Sequence, residues 1–190
     1  VGSEMCIRDS PYSLNFTNME YEIFDVVNLR DEVMYQERRS VVHEKGLFHR
    51  AVHIFARSKN GMWILQKRSA SKDIDPLLWT SSCSGHVDAG EDYLNAVVRE
   101  CEEELGVSLL TDRFLELLQI SPCHETGNEF VRVFAVKDLI SPKNNPEEIE
   151  ALETYSLPEI EKEIECSTQH FSLSFIHIFK LIKRHLQRLT

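Results

Sequence analysis

No apolar run in this sequence approaches the roughly 20 residues that a membrane-spanning helix requires, and the N-terminal residues lack the apolar core of a secretory signal. The five cysteines are odd in number and show no paired metal-ligand spacing. That pattern speaks against a disulfide framework or a zinc module, and for reduced thiols in a cytoplasmic compartment. Positive charge is in the minority, with 21 Lys and Arg against 31 Asp and Glu and a net charge of −10. Broad binding to a nucleic-acid backbone needs a basic surface, so a nucleic-acid polymer is excluded as partner. A small anionic substrate is not, because a bound metal and a few local cations can reverse the field inside a cleft. Internal repeats, low-complexity tracts and interdomain linkers are also missing. What remains is 190 residues, 42% hydrophobic and 27% charged, which is ordinary for one soluble domain with a substantial core.

Residues 1–18 are set apart. Met5 to Ser10, MCIRDS, reads as the in-frame translation of a sequencing adapter, so this stretch is expected to be a non-native or disordered tail. Met19 is the expected natural start, with a single domain over 19–190. Tyr21–Val27 and Ala51–Ala56 are rich in β-branched and aromatic residues and predict strands. Met62–Arg68 follows the turn Lys59-Asn60-Gly61 and predicts a hairpin with the strand before it. Phe114–Ile120 and Phe130–Val136 predict a second strand pair joined by the polar loop Ser121–Glu129, and Ile149–Tyr155 is a weaker strand candidate.

Three helices follow from periodicity. Asp92–Leu105 places Leu94, Val97, Val98, Cys101 and Leu105 on a core-facing stripe, with Glu100, Glu103 and Glu104 pointing elsewhere and Gly106 as the stop. Ser156 and Glu159 form a capping box opening a helix through Ile164. Phe171–Leu189 carries an apolar stripe and a basic C-terminal end. Packing against the domain is favoured over a membrane-surface role. The order of elements predicts a mixed sheet with helices on either side.

Glu100, Glu103 and Glu104 carry most of the functional information. Residues three and four apart are neighbours on a helix surface, so the three carboxylates gather on one face and repel unless a cation sits among them. Hard oxygen ligands suit Mg²⁺ or Mn²⁺, with a phosphorylated substrate completing the shell. The expected chemistry is metal-assisted attack at a diphosphate.

The segment from Gly85 to Val107 resembles the Nudix box, in which a Gly precedes a Glu by six positions, with Arg-Glu and Glu-Glu-x-Gly following. Gly85, Glu91, Arg99, Glu100, Cys101, Glu103, Glu104, Gly106 and Val107 meet every specified position. The resemblance implies an α/β fold, the Nudix α/β/α sandwich, with the motif as a loop–helix–loop beside the sheet. It also implies that Glu100, Glu103 and Glu104 hold Mg²⁺ or Mn²⁺. Either Glu103 or Glu104 would accept the proton of the attacking water, with Glu129 as an alternative base, an additional ligand or a plain loop carboxylate. Glu91 and Arg99 would orient the carboxylates through a salt bridge, and Gly85 and Gly90 would permit the tight loop joining Glu91 to the helix. Arg68 and Lys72 would meet the substrate phosphates from the side opposite the metal.

HRAVHIF, LQKRSASKD, P-x-x-W-T-S-S and GHV-x-x-GE further resemble the branch related to type 1 isopentenyl-diphosphate isomerases, over about Tyr21 to Leu157. His43, His49, His86, Glu104 and Glu129 fall where those isomerases hold metal ligands or the catalytic acid. Arg39, Arg68 and Lys72 fall at diphosphate-binding positions. A second metal site at His43, His49 and His86 follows from that resemblance. The departures favour hydrolysis. The isomerase cysteine before Gly-His is Ser84 here, with Cys83 one residue earlier, and a one-residue shift in a strand turns the side chain to the other face. The position of the isomerase's carbocation-stabilising aromatic residue is Thr154, beside Tyr155. Three readings therefore stand: a Mg²⁺-dependent Nudix hydrolase of a diphosphate linked to another moiety, an isopentenyl-diphosphate isomerase, and a noncatalytic diphosphate-sensing module. His53 reads as a satisfied core histidine, and Trp79 as either a stacking platform or packing. Oligomeric state is open.

Overall fold

The computed structural model describes residues 22–190, so the tail expected at residues 1–18, the start at Met19 and the first residue of the Tyr21 strand lie outside the described residues. The elements, in chain order, are β1 (Ile23–Val27), β2 (Val33–Arg38), α1 (Arg39–Lys45), β3 (His49–Ser58), β4 (Trp63–Arg68), β5 (Trp79–Thr80), β6 (Cys83–His86), α2 (Tyr93–Leu105), β7 (Phe114–Ile120), β8 (Glu129–Ile140), β9 (Ile149–Tyr155), α3 (Leu157–Cys166) and α4 (Leu173–Leu186). Seven strands form one mixed sheet. Its centre is the parallel pair β3–β8, and the other pairings are antiparallel. β1 and β2 form a separate antiparallel pair.

Alternation along the central strands sorts side chains into two cores. Phe55, Leu65, Val131 and Val133 meet Ile160 of α3 and Phe175, Phe179 and Ile182 of α4. Val52, Ile54, Phe134 and Val136 meet Ala96, Val97, Cys101 and Leu105 of α2. The sheet thus lies between α2 on one face and α3 with α4 on the other, the expected α/β/α sandwich. The stripe Phe175, Ile178, Phe179, Ile182 and Leu186 of α4 is buried, which leaves no apolar face of that helix to lie on a membrane. No described helix is long and apolar enough to cross one.

The expected capping box is present, with the Ser156 hydroxyl accepting from the Glu159 N–H and the Glu159 carboxylate accepting from the Ser156 N–H. β7 pairs with β8 as expected. The β3–β4 hairpin is confined to its base at Arg57 and Trp63, because β4 pairs chiefly with β9 and β5. Four elements went unread in the sequence. β2 is exposed on nearly every residue, so it lacks an apolar alternation. β5 and β6 are two and four residues long, too short for periodicity, and α1 has only seven residues.

Helix α2 turns a different face inward from the one its apolar stripe predicts. Leu94 is exposed, whereas Glu100 and Glu104 are buried together with Ala96, Val97, Cys101 and Leu105. Ala96, Glu100 and Glu104 form one i, i+4 row alongside the row Val97, Cys101 and Leu105. Both rows turn towards the sheet, and two of the three acids go with them. Glu103 lies off these rows with its side chain 56% exposed, so the three carboxylates do not share one face.

Candidate functional site

Arg99, in the middle of α2, ties the motif together. Its Nε and Nη2 donate to the two Glu91 oxygens at 3.1 and 2.9 Å, Nη1 donates to Glu100 Oε1 at 2.7 Å and Glu103 Oε2 at 3.1 Å, and Nη2 donates to the His86 carbonyl at 2.9 Å. A planar fork with five donors suits this work, and a lysine could not span it. Burial alone would depress the Arg99 guanidinium, but the Glu91 and Glu100 carboxylates raise it further above its usual range. Glu91 also accepts from the Asp88 N–H at 3.1 Å, which closes the loop ahead of the helix. Asp92 caps α2 by accepting from the Asn95 N–H at 2.8 Å.

Gly85 has a different role from the one expected. It sits inside β6, opposite Val52, and needs no left-handed turn. A Cβ there would lie 2.0 Å from Glu100 Oε1 and 2.1 Å from its Cδ, so the glycine makes room for the carboxylate. Gly90, at φ 79°, is the residue that serves the tight loop, and its N–H donates to Asp25 Oδ2 at 2.9 Å.

Glu100 and Glu104 form a buried acidic pair. Burial, then the charge of Glu104, push the Glu100 carboxyl up to about 8 against the pull of Arg99. Burial raises Glu104 as well, opposed by Lys72 and by hydrogen bonds from Cys83, Ser84 and Gln66. Two carboxylates one helical turn apart, both costly to ionise without a counter-charge, form a donor set matched to a hard divalent cation.

A second cluster adjoins this pair. Ligand atoms of His43, His49, His86 and Glu129 all lie within 4.8 Å of one another. Glu129 is the first residue of β8, opposite His49 in parallel register, and not in the preceding loop as expected. His86 Nε2 is 3.1 Å from Glu129 Oε1. His49 Nδ1 bonds the Leu47 carbonyl at 2.9 Å, which leaves its buried Nε2 as an orphan without a hydrogen-bond partner, 3.5 Å from the same Glu129 oxygen. A backbone carbonyl fixing one ring nitrogen so that the other offers its lone pair is how metal-binding histidines are held. Burial, then His86 and His49, lower His43 to about 4, so it stays neutral as a ligand must. Burial pushes Glu129 upward, but the His86 ring hydrogen-bonded to it and the His49 ring nearby hold it well below the usual carboxylate range. The donor set fits a divalent cation that accepts nitrogen.

The three expected phosphate-binding cations gather beside the acids, each already engaged. Arg39 pairs with Asp73 at 2.9 Å and Glu22 at 3.3 Å, Lys72 pairs with Glu148, and Arg68 Nε donates to the Ile74 carbonyl at 3.0 Å. Burial lowers the Lys72 ammonium, and the charges of Glu104 and Glu100 oppose that. Cys83 is fully buried in the α2-side core. Its thiol is pushed well up by burial and by Cys101, so it holds its proton and is unsuited to proton transfer. His53 is buried against the Ser81 hydroxyl at 2.9 Å, a satisfied core histidine. Trp79 packs on the α4-side core and meets Tyr155 edge-on. Sequence reasoning missed Gln66, whose Nε2 donates to Glu104 Oε2 at 2.9 Å, and the partners Asp73 and Glu148. The one available signal was an uncharged polar residue directly after the apolar Trp63–Leu65 run.

The chain is 30% identical over 171 residues to an isopentenyl-diphosphate Delta-isomerase of Serratia proteamaculans, covering 84% of this chain and 90% of that one. It is 34% identical over 127 residues to an uncharacterized Nudix hydrolase of Nostoc sp., covering 66% and 75%. A crystal structure of a Deinococcus radiodurans protein superposes with a TM-score of 0.67 at 30% identity, covering 77% of this chain and 90% of that one. The family model described as NUDIX domain matches residues 47–172, a span holding the Arg99 network, the buried acid pair and the β3–β8 sheet centre, and on that match the chain belongs to the NUDIX domain family.

Proposed function

We propose that this protein is a divalent-metal-dependent hydrolase that cleaves a diphosphate linked to another moiety, with water as nucleophile. The observation that carries the reading is the buried Glu100–Glu104 pair, held against β6 by Arg99 and Gly85 with Arg68 and Lys72 alongside. Buried like charges are destabilising unless a cation joins them, and a polyanion flanked by cations on its other side completes such a site. Mg²⁺ or Mn²⁺ held by Glu100, Glu104 and the outer Glu103 would polarise a phosphoryl oxygen and acidify the attacking water. Arg99 fixes the direction of Glu100 and Glu103, and Glu91 fixes Arg99. Arg39, Arg68 and Lys72 bind and orient the diphosphate by exchanging protein partners for phosphate oxygens. Glu129, held as a carboxylate between two imidazoles, is suited to holding a second cation with His43, His49 and His86. Glu103 and Glu104 are then the groups available to accept a proton. Phosphate release from a panel of nucleoside and isoprenoid diphosphates tests the reading. Turnover should require Mg²⁺ or Mn²⁺ and fall at least 100-fold in Glu104→Gln, and equal turnover by both proteins would refute it.

A second reading, isomerisation of isopentenyl diphosphate, is favoured by the His43, His49, His86 and Glu129 cluster and by the Serratia relative's name. Against it stands the burial of Cys83 in the core, with Ser84 in the position before Gly85-His86. Deuterium uptake into dimethylallyl product in heavy water would establish this reading, and its absence with active hydrolysis would remove it.

A further inference from the structure

β4 reads Trp-Ile-Leu-Gln-Lys-Arg, and its first four residues are buried. An amide at the fourth position, 1% exposed, is costly unless hydrogen-bonded. Gln66 Nε2 donates to Glu104 Oε2 at 2.9 Å, while Gln66 Oε1 is buried with no hydrogen-bond partner. The Ser84 N–H donates to the same Glu104 oxygen at 3.3 Å. Donors from β4 and β6 therefore converge on one side of a single carboxylate. Each is neutral, so they orient Glu104 without cancelling the charge that attracts a cation. Gln66 is also held firmly, since β4 pairs on both sides, with Gln66 opposite Thr80 and Leu152.

From this convergence we infer that Gln66 is a positioning residue, whose amide fixes the Glu104 carboxylate with its second oxygen directed to a divalent cation. The inference rests on the reading of Glu104 as a cation ligand. A packing role alone would be met by a methionine of similar shape, without an unsatisfied carbonyl. A residue that orients a ligand is worth about 10- to 100-fold in metal affinity, and it acts only while that ligand is present.

The test is Mn²⁺ titration of the metal-free full-length protein, read by the electron paramagnetic resonance signal of free Mn²⁺, with thermal unfolding in parallel. Gln66→Met should weaken the class of sites that Glu104→Gln removes by about 10-fold or more, with an unchanged or higher Tm. The double variant should bind no worse than Glu104→Gln alone. Gln66→Leu serves if the methionine variant does not fold. Wild-type affinity in a folded Gln66 variant, or a further loss in the double variant, overturns the positioning role and leaves Glu104 as a ligand. A wild-type protein that takes up no Mn²⁺ overturns the reading of Glu104 itself.

Discussion

Gly85→Ala is a substitution of one methyl group whose consequences the structure localises to one carboxylate. The added Cβ would sit 2.0 Å from Glu100 Oε1, 2.1 Å from Cδ and 2.4 Å from Oε2. Ordinary contact needs about 3.5 Å, so the carboxylate must retreat by about 1.5 Å. Gly85 is in paired strand conformation opposite Val52, which alanine adopts readily, so the backbone has no reason to move. Glu100 is the far end of a flexible side chain and gives way first, losing its 2.7 Å bond from Arg99. A hydrogen bond from a charged group contributes about 1.5–3 kcal/mol. Arg99 keeps its Glu91, Glu103 and His86 partners, so the net cost should stay near 1–2 kcal/mol. Catalytic geometry is far less forgiving, because a misplacement of about 1 Å can cost about 100-fold in rate. Gly85→Ala should therefore unfold in urea as one cooperative transition only slightly below wild type. Its metal-dependent turnover of the best diphosphate in the panel should fall about 100-fold, with weaker Mn²⁺ uptake by calorimetry. A folded Gly85→Ala protein with wild-type turnover and Mn²⁺ affinity would show that the placement of Glu100 against β6 governs neither.

Three further perturbations bear on the Arg99 network, the buried acids and a strained turn. Arg99→Lys keeps the charge but loses the fork to Glu91, and should lower unfolding free energy by about 2 kcal/mol in urea titration; a loss below about 0.5 kcal/mol would mean the network is not organised by the guanidinium. In chelator, Glu100 holds its proton up to about pH 8, whereas an unfolded glutamate releases it near 4.5, so the native state binds more protons and stability must fall as pH rises towards 8. His43 and His53, both lowered to about 4, act with the opposite sign, but only up to about pH 6.5. Between pH 6.5 and 8 the metal-free protein should lose up to about 2 kcal/mol, and saturating Mg²⁺ should abolish that decline. A flat or rising profile in chelator counts against the buried pair. Leu77 holds φ 62° at 45% exposure, a left-handed conformation costly for a branched side chain. Leu77→Gly should consequently match wild type in thermal unfolding or exceed it by a few degrees, and a clear drop in Tm would show that the side chain makes an essential contact.

Local chemistry explains which parts of this protein were legible in the chain alone. The Ser156–Glu159 cap, the ends of α2 at Asp92 and Gly106, and the strand over Ile149–Tyr155 depend on residues close in sequence, and each lies where local rules place it. The spacing of Glu100, Glu103 and Glu104 likewise predicts a cluster of acids, since residues three and four apart are neighbours on any helix, and Glu100 and Glu104 do lie together. Hydropathy misplaced the face of α2. It ranks a carboxylate as a surface group, and only the approach of β6 at Gly85 and β4 at Gln66 brings Glu100 and Glu104 inside. The grouping of His43, His49, His86 and Glu129 depends on α1, β3, β6 and β8 meeting at one end of the sheet, with His49 opposite Glu129 by parallel register. Such contacts join residues up to 86 positions apart, between 43 and 129, and no local pattern encodes them. Thus the kinds of ligand were set by the amino acids themselves. Which of them are dehydrated, which repel and which are held in place was decided by tertiary packing, because burial and neighbouring charge arise only when distant strands close around them.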